Sequence, residues 1–562
     1  RRRPPPRPLH AASQSAQAAI DDEERLRSTV EASEAWLTIN DIESRNFVED
    51  GYNQTFEDFK TVFNKNIKDD FLEVVREVAE YFTDTLQREP SEDKDRHMKA
   101  ASRWFIAIHS IMLAKPPRGG HNGHTEVQNR FARWRLGDKA TLLDQWLKSK
   151  ENDKPMRRRR ARQQSQRQRD HTLVRKLIQS GHVGKATRAL ESAGLADTSL
   201  LHVREQLATK HPTRYEEDHE WDEQDDEEAW EAFPDGALAE EADFTPAQKI
   251  AVMTEVFGKK ACKPFTAAGP MGCHNEHLNA FAKGADAADP LTEVFGSAAS
   301  PTQNAILLRM HDIMLAYFAG KLPEEFMLNF GTIRMIALVK SIDINGVEEV
   351  RPVGIQNAYR VAFHKYVVRK IRGDFTAEAE PVQIGAAEHG AAKLVHRTRV
   401  TYESRPDFIV LEIDITNAFN ATKRREILRR LRESSAMKHL RGFVGKILRH
   451  KYPICLNGRR FQREDGTHVL SEEGVVQGDP LSSPLFTNTI QREVQAMNDI
   501  LQPLGGCATA GADDVFVTGP ADEVIDAVER FGRRVGDNAE LHIQLTKTKV
   551  LCKNAVKAAE VA

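Results

Sequence analysis

Ala510-Gly511-Ala512-Asp513-Asp514-Val515-Phe516-Val517 is the stretch whose reading decides the fold. Two adjacent carboxylates sit between short runs of small and β-branched residues, and Gly505-Gly506 and Gly519-Pro520 bound the stretch as turn signals. The pattern predicts a β-hairpin with the acids at its tip. Neighbouring carboxylates repel, so a fold that presses both into one turn needs a counter-charge, and a divalent metal is the usual one. A third acid is then expected nearby. Phe408-Ile409-Val410-Leu411-Glu412-Ile413-Asp414-Ile415-Thr416-Asn417-Ala418-Phe419-Asn420 supplies it, because an apolar strand that ends in Asp414 places that acid at a strand end beside a cleft. Between the two acid sites runs Glu473 to Phe486, in which Gly474 and Gly478 bracket Gln477 and an apolar helix follows.

Three motifs in this order resemble the palm motifs of the reverse transcriptases of non-LTR retrotransposons: A from Asp414 to Phe419, B from Gly474 to Phe486, and C from Gly511 to Asp514. The likeness covers about the last three hundred residues by coarse domain reckoning. It implies an α+β, right-hand polymerase fold with fingers and an antiparallel palm sheet backed by helices, preceded by a mainly helical N-terminal region. The implied function is that of an RNA-directed DNA polymerase of a retrotransposon, a nucleotidyltransferase acting on an RNA template, a DNA primer or target, and dNTPs. Two ions held about 4 Å apart can activate the primer 3′ hydroxyl and stabilise the pyrophosphate. Magnesium suits oxygen-only ligands and phosphate, with manganese as a possible substitute.

By the same resemblance, Asp414 and Asp513 bridge both metals, Asp514 completes the site, and the Ile415 carbonyl is a further oxygen ligand. Lys340, ending the strand from Arg334, and Arg351, opening the next, contact the nucleotide's phosphates. Taken alone, such cations at strand ends mean only solubility. Phe419 is placed under the sugar, where a ring would collide with a 2′ hydroxyl and select deoxynucleotides; the plainer alternative is a core filler. Gln477 and Gly478 line the template and nucleotide pocket, the glycine allowing close backbone approach. Leu541 to Leu551 resembles motif D, and either Lys547 or Lys549 is expected to protonate or relieve the pyrophosphate.

The chain has 562 residues, long enough for several domains, and a net charge of -3 that averages two opposite blocks. Arg157 to Arg169 holds seven arginines, among them Arg157, Arg158, Arg159, Arg160 and Arg162, and reads either as a phosphate-neutralising, nucleic-acid-binding block or as a solvated linker. Glu216 to Glu231 holds eleven acids, too much like charge to fold alone. Five scattered cysteines without a CxxC pair suggest neither a disulfide framework nor a zinc ribbon. No apolar run approaches the roughly twenty residues that span a bilayer, so the expectation is an intracellular, nuclear or cytoplasmic protein without a membrane partner.

These features divide the chain into a disordered Arg/Pro-rich tail (1–20), a helical accessory region (21–150), a basic helical segment (151–211), an acidic linker (212–243), and fingers and palm (244–562), with the motifs within about 330–555. Phe71, Val74, Val75, Val78, Ala79 and Phe82 fall at helical spacing, as do Trp104, Phe105, Ile108, Ile111 and Met112, which predicts two amphipathic packing helices, the second ended by Pro116-Pro117. A short helical pair is expected around Gly181. Phe265 to Gly272, then Glu276-His277-Leu278, resembles the segment that opens the fingers, with Met271 where many relatives have an acid. Cys273, His274 and His277 lack a second ligand pair for zinc. Arg360, Lys365, Arg369 and Lys370 mark the polar face of a helix, and Gln383-Ile384-Gly385 matches a short segment before motif A.

Two departures bear on activity. Gly511 stands where the family carries an aromatic, commonly tyrosine, under the primer terminus. The chain starts at Arg1 and stops soon after Lys549, so a fragment with an absent or truncated thumb is expected. The alternatives are a decayed or repurposed element that binds nucleic acid without catalysis, and an intron-encoded or telomerase-like enzyme with the same acids.

Overall fold

A computed structural model describes residues 34–42, 65–114, 123–148, 194–214, 243–264, 266–282, 300–342, 346–385 and 387–553. The Arg/Pro-rich start, Pro116-Pro117, the arginine block with Arg157, Arg158, Arg159, Arg160 and Arg162, the pair around Gly181, the acidic run and Phe265 lie outside them.

The architecture is mixed α+β. Helices Lys65–Leu86 and Glu92–Leu113 contain the two apolar stripes, and every residue of those stripes is buried. Ser91 caps the second helix by accepting the Lys94 N–H at 3.0 Å. That helix is buried nearly all round rather than on one stripe, polar residues included. Arg103 is satisfied inside by the carbonyls of Ile39, Asn40 and Ile42 and by Glu325 at 2.8 Å. These helices share one continuous core with helices Pro301–Phe318 and Ala358–Ala379.

The strands in chain order are β1 (Ile333–Ile342), β2 (Glu348–Ile355), β3 (Phe408–Ile413), β4 (Tyr452–Leu456), β5 (Arg459–Arg460), β6 (Leu470–Ser471), β7 (Cys507–Gly511), β8 (Asp514–Pro520) and β9 (Lys549–Cys552). One sheet runs β2-β1-β4-β5, with β6 against β4; the other runs β7-β8-β3-β9. β1 pairs antiparallel with β2 and parallel with β4, while every pairing in the second sheet is antiparallel. The apolar run Phe408–Leu411 is buried, as suits an interior strand. Helices Ser482–Leu501 and Ala521–Ala539 pack on β7 and β8.

Residues 194–214 attach to the first sheet. Leu195 bridges Leu338, and Gln206 brackets β2 by donating to the Glu348 carbonyl (2.9 Å) and accepting the Val350 N–H (3.1 Å). This anchorage brings the segment to the mouth between the sheets. Among the described residues, no helix is long and apolar enough to cross a membrane.

Candidate active site

The acid pair sits where hairpin geometry puts it. Gly511 pairs with Asp514, leaving Ala512 and Asp513 as a two-residue turn with Ala512 at φ 65°. Ile413 pairs with Val515, so the next residue out on β3, Asp414, comes alongside Asp514, the first residue of β8. Residues directly opposite on an antiparallel pair share a face. Asp414, Asp513 and Asp514 accordingly line one cleft of about 1150 Å³.

Burial raises the Asp513 carboxyl above its ordinary range, and the Asp514 and Asp414 charges push the same way while Arg351 opposes them. Asp514 is likewise raised by burial, then by Glu412 and Asp414, against Lys549 and Arg351. These acids are held together at an electrostatic cost that a bound cation would relieve. The Asp414 carbonyl accepts the Gln544 N–H at 2.8 Å and the Thr416 N–H donates to the His542 carbonyl at 2.9 Å. Successive residues of an extended chain direct their peptide groups to opposite sides. The Ile415 carbonyl therefore faces away from 542–544. Carboxylates and a backbone carbonyl are the oxygen donors that magnesium or manganese takes, but the oxygens of Asp414, Asp513 and Asp514 do not all lie within 4.8 Å of one another in this structure.

The same cleft is lined by Lys340, Arg351, Phe419, Gln477, Gly478 and Lys547. Lys340 lies at a register shift between Val339 and Ser341, the kind of bulge that re-aims a side chain, and Arg351 pairs across from Leu338. Lys549 takes a different course. It is exposed on β9, bonded to Glu412 at 3.1 Å, and is not part of the cleft lining. The Phe419 ring stacks on Phe486 at 4.9 Å and also borders the cleft.

The loop before helix Ser482–Leu501 is seated by glycine. Gly474 has φ 62°, and a Cβ there would lie 2.3 Å from the Phe419 carbonyl oxygen; Gly478 has φ 117°, and a Cβ would lie 2.5 Å from that of Gly354. Close approach at both points ties the loop to the turn after Asp414 and to β2. The Gly474 and Val475 N–H groups donate to Thr422 and Phe419, and Gly354 N–H donates to Gln477.

Two buried side-chain charges, Asp479 on the cleft lining and Arg424 outside it, have several polar partners each. Asp479 accepts from His364 Nδ1 at 2.7 Å and lies 3.6 Å from Arg360 Nε. Burial would raise its carboxyl, but His364 and Arg360 hold it at about 2. Arg424 is fully buried and donates to the carbonyls of Gly474, Leu448, His450 and Ser471 and to Ser471 Oγ, while its N–H meets Glu473 at 2.8 Å. Arg360 is a correction to the polar helical face: it is buried and stacks over Tyr452 at 4.8 Å, whereas Lys365 is half-buried on the Ala261 carbonyl and Arg369 pairs with Glu255 at the surface. Asp479 was within reach of sequence reading, since it accepts the Leu481 N–H just before a helix. Its partner, 115 residues away, was not.

Gln383-Ile384-Gly385 lies against the acid hairpin, with Ile384 N–H donating to Ala510 and Ala510 N–H to Val382. Cys273 and His277 gather with His109 in the core, distant in sequence. Yet the two imidazoles are 9° from parallel with centroids 5.1 Å apart and Nδ1 atoms 3.0 Å apart. The nitrogens therefore point at each other along one line, a ring-to-ring hydrogen bond, and one ion could not sit on both lone-pair axes at about 2.0 Å.

Compared with models of known protein families and with curated proteins, the chain matches none.

Proposed function

We propose that this cleft performs template-directed nucleotidyl transfer, as an RNA-directed DNA polymerase whose β1–β2 hairpin serves as fingers and whose β7-β8-β3-β9 sheet serves as palm. The observation that carries the reading is the meeting of Asp414, Asp513 and Asp514 in one cleft with Lys340, Arg351 and Lys547. Carboxylates that hold cations beside cations that hold phosphates are the two halves required by a reaction between a hydroxyl and a triphosphate. When bound, magnesium would supply activation of the primer hydroxyl and neutralisation of charge on the leaving pyrophosphate.

Asp414, Asp513, Asp514 and the Ile415 carbonyl would hold the metal. Lys340 and Arg351 would orient the triphosphate, and Lys547 rather than Lys549 would meet the leaving group, since only Lys547 borders the cleft. Phe419, braced by Phe486, would fill the space of a 2′ hydroxyl. The choice of RNA as template rests on the likeness of motifs A to D to non-LTR retrotransposon enzymes.

The test is primer extension by the full chain on primed RNA, with dNTPs and magnesium, beside D513N. The expected result is extension by the wild type and none by D513N. Binding of primed template without extension would favour the binding-only reading that Gly511 motivates, and extension on DNA templates alone would remove the RNA-directed part.

A further inference from the structure

The cations of the cleft are more numerous than motif reading suggests, and they surround a carboxylate. Glu349 Oε1 accepts from Lys547 Nζ at 2.9 Å and lies 3.6 Å from Lys340 Nζ. Its Oε2 accepts from Ser341 Oγ at 2.8 Å. Lys210, following helix Leu201–Thr209, borders the same cleft and donates to the Val350 carbonyl. Burial lowers the Lys210 ammonium; Glu349 opposes this, and Lys340, Lys547 and Arg351 are close enough to add to it. Burial pushes the Glu349 carboxyl up, but Lys547, Ser341 and Lys340 hold it at about 2, so it is ionised at neutral pH.

Lys547 and Lys340 share this one carboxylate, and Lys210 borders the same recess, which Asp414, Asp513 and Asp514 also line. A triphosphate would meet the lysines. The position it would need, within hydrogen-bond reach of both Lys340 and Lys547, is the one the Glu349 carboxylate holds. We propose that Glu349 is a resident stand-in for polyphosphate, displaced when a triphosphate binds, and that Lys210 is a further phosphate-binding cation of the same site. This deepens the polymerase reading and rests on it for the identity of the triphosphate. Its consequence is a site whose lysines stay ordered when empty, at the expense of affinity, since each incoming nucleotide must break the Glu349 contacts.

Calorimetric titration of the full chain with inorganic tripolyphosphate, without divalent metal, tests this for wild type, E349Q, K210Q and K210R. E349Q removes the competing charge and should tighten binding by roughly tenfold, the scale of one charge-assisted contact. K210Q should weaken it by roughly fivefold, and K210R should retain it because the charge is kept. Unchanged or weaker binding by E349Q would mean that Glu349 organises the lysines instead of competing with ligand, and would overturn the proposal. If the wild type binds tripolyphosphate and extends primers while E349Q gains nothing, only this inference falls. If the wild type binds neither tripolyphosphate nor dNTP, the polymerase reading falls with it.

Discussion

The cleft and the layer behind it are both built from charged residues, and they treat charge in opposite ways. Arg424, outside the cleft lining, is enclosed by backbone carbonyls with Glu473 on its own N–H, and Asp479, which borders the cleft, is held by His364 and Arg360, so both charges have several polar partners. At the cleft, Asp513 and Asp514 are raised by burial and by Asp414, and two lysines, Lys340 and Lys547, share one carboxylate, Glu349. Matched charge holds a backbone in place. Unmatched charge, kept on rigid elements, is a standing demand for a ligand of the other sign.

The largest expected effect separates the two directly. D414N or D513N should lower primer extension by at least about a thousandfold, since a carboxylate that would hold the metal is lost. Thermal melting of D513N should nonetheless hold or rise at pH 7. The sign follows from linkage: a carboxyl whose folded pKa is raised binds its proton more tightly in the native state, so its ionisation opposes folding as pH rises. A fall in the melting temperature of D513N would break the contrast.

R424A should do the reverse. Removing one partner of a buried, hydrogen-bonded ion cluster costs about 3–5 kcal/mol, read as a lower denaturant midpoint. A loss below about 1 kcal/mol would show that the layer behind the cleft is not matched as described.

D479N sharpens the comparison through pH. The folded carboxyl stands at about 2, below its ordinary value, so its contribution is present above the unfolded pKa and disappears as pH falls through about 2. Wild type should exceed D479N by roughly 2 kcal/mol at pH 7, and the two should converge toward pH 2, in urea melts across that range. D513N against wild type should show the opposite sign.

Phe419→Ala should admit ribonucleotides, because the ring that would meet a 2′ hydroxyl is gone; the check is the ratio of kcat/KM for dNTP and rNTP, expected to fall by roughly tenfold or more. Loss of the stack on Phe486 should also lower stability. Gly511→Tyr should have the smallest effect, a few-fold gain in extension from a platform under the primer end. A Cβ at Gly511 would meet only Leu394 Cδ2 at 3.7 Å, so the new side chain has room to start. No gain would mean that the hairpin's neighbours, not this position, set primer placement.

Much of the cleft was legible because its signals are local. An acid pair between β-forming runs, an apolar strand ending in Asp414, and glycines around Gln477 each declare a conformation within a few residues. The two N-terminal helices were legible for the same reason. Lys547 and Lys549 were not separable, since residues two apart on a strand share a face. A 3-10 turn at Leu545–Lys547 interrupts the strand just before Lys549, so one lysine enters the cleft and the other pairs with Glu412.

By itself, then, the sequence determined the α+β character, the two helical stripes, the acid hairpin and the order of the motifs, all set by side-chain period and turn chemistry along the chain. Tertiary structure alone decided which charges are matched. The partners of Arg424 lie tens of residues away, and His364 reaches Asp479 across 115 residues. Lys210 reaches the cleft because Gln206 and Leu195 fasten its segment to the first sheet. A charge's neighbours depend on how distant elements pack, and no local pattern along the chain encodes that distance.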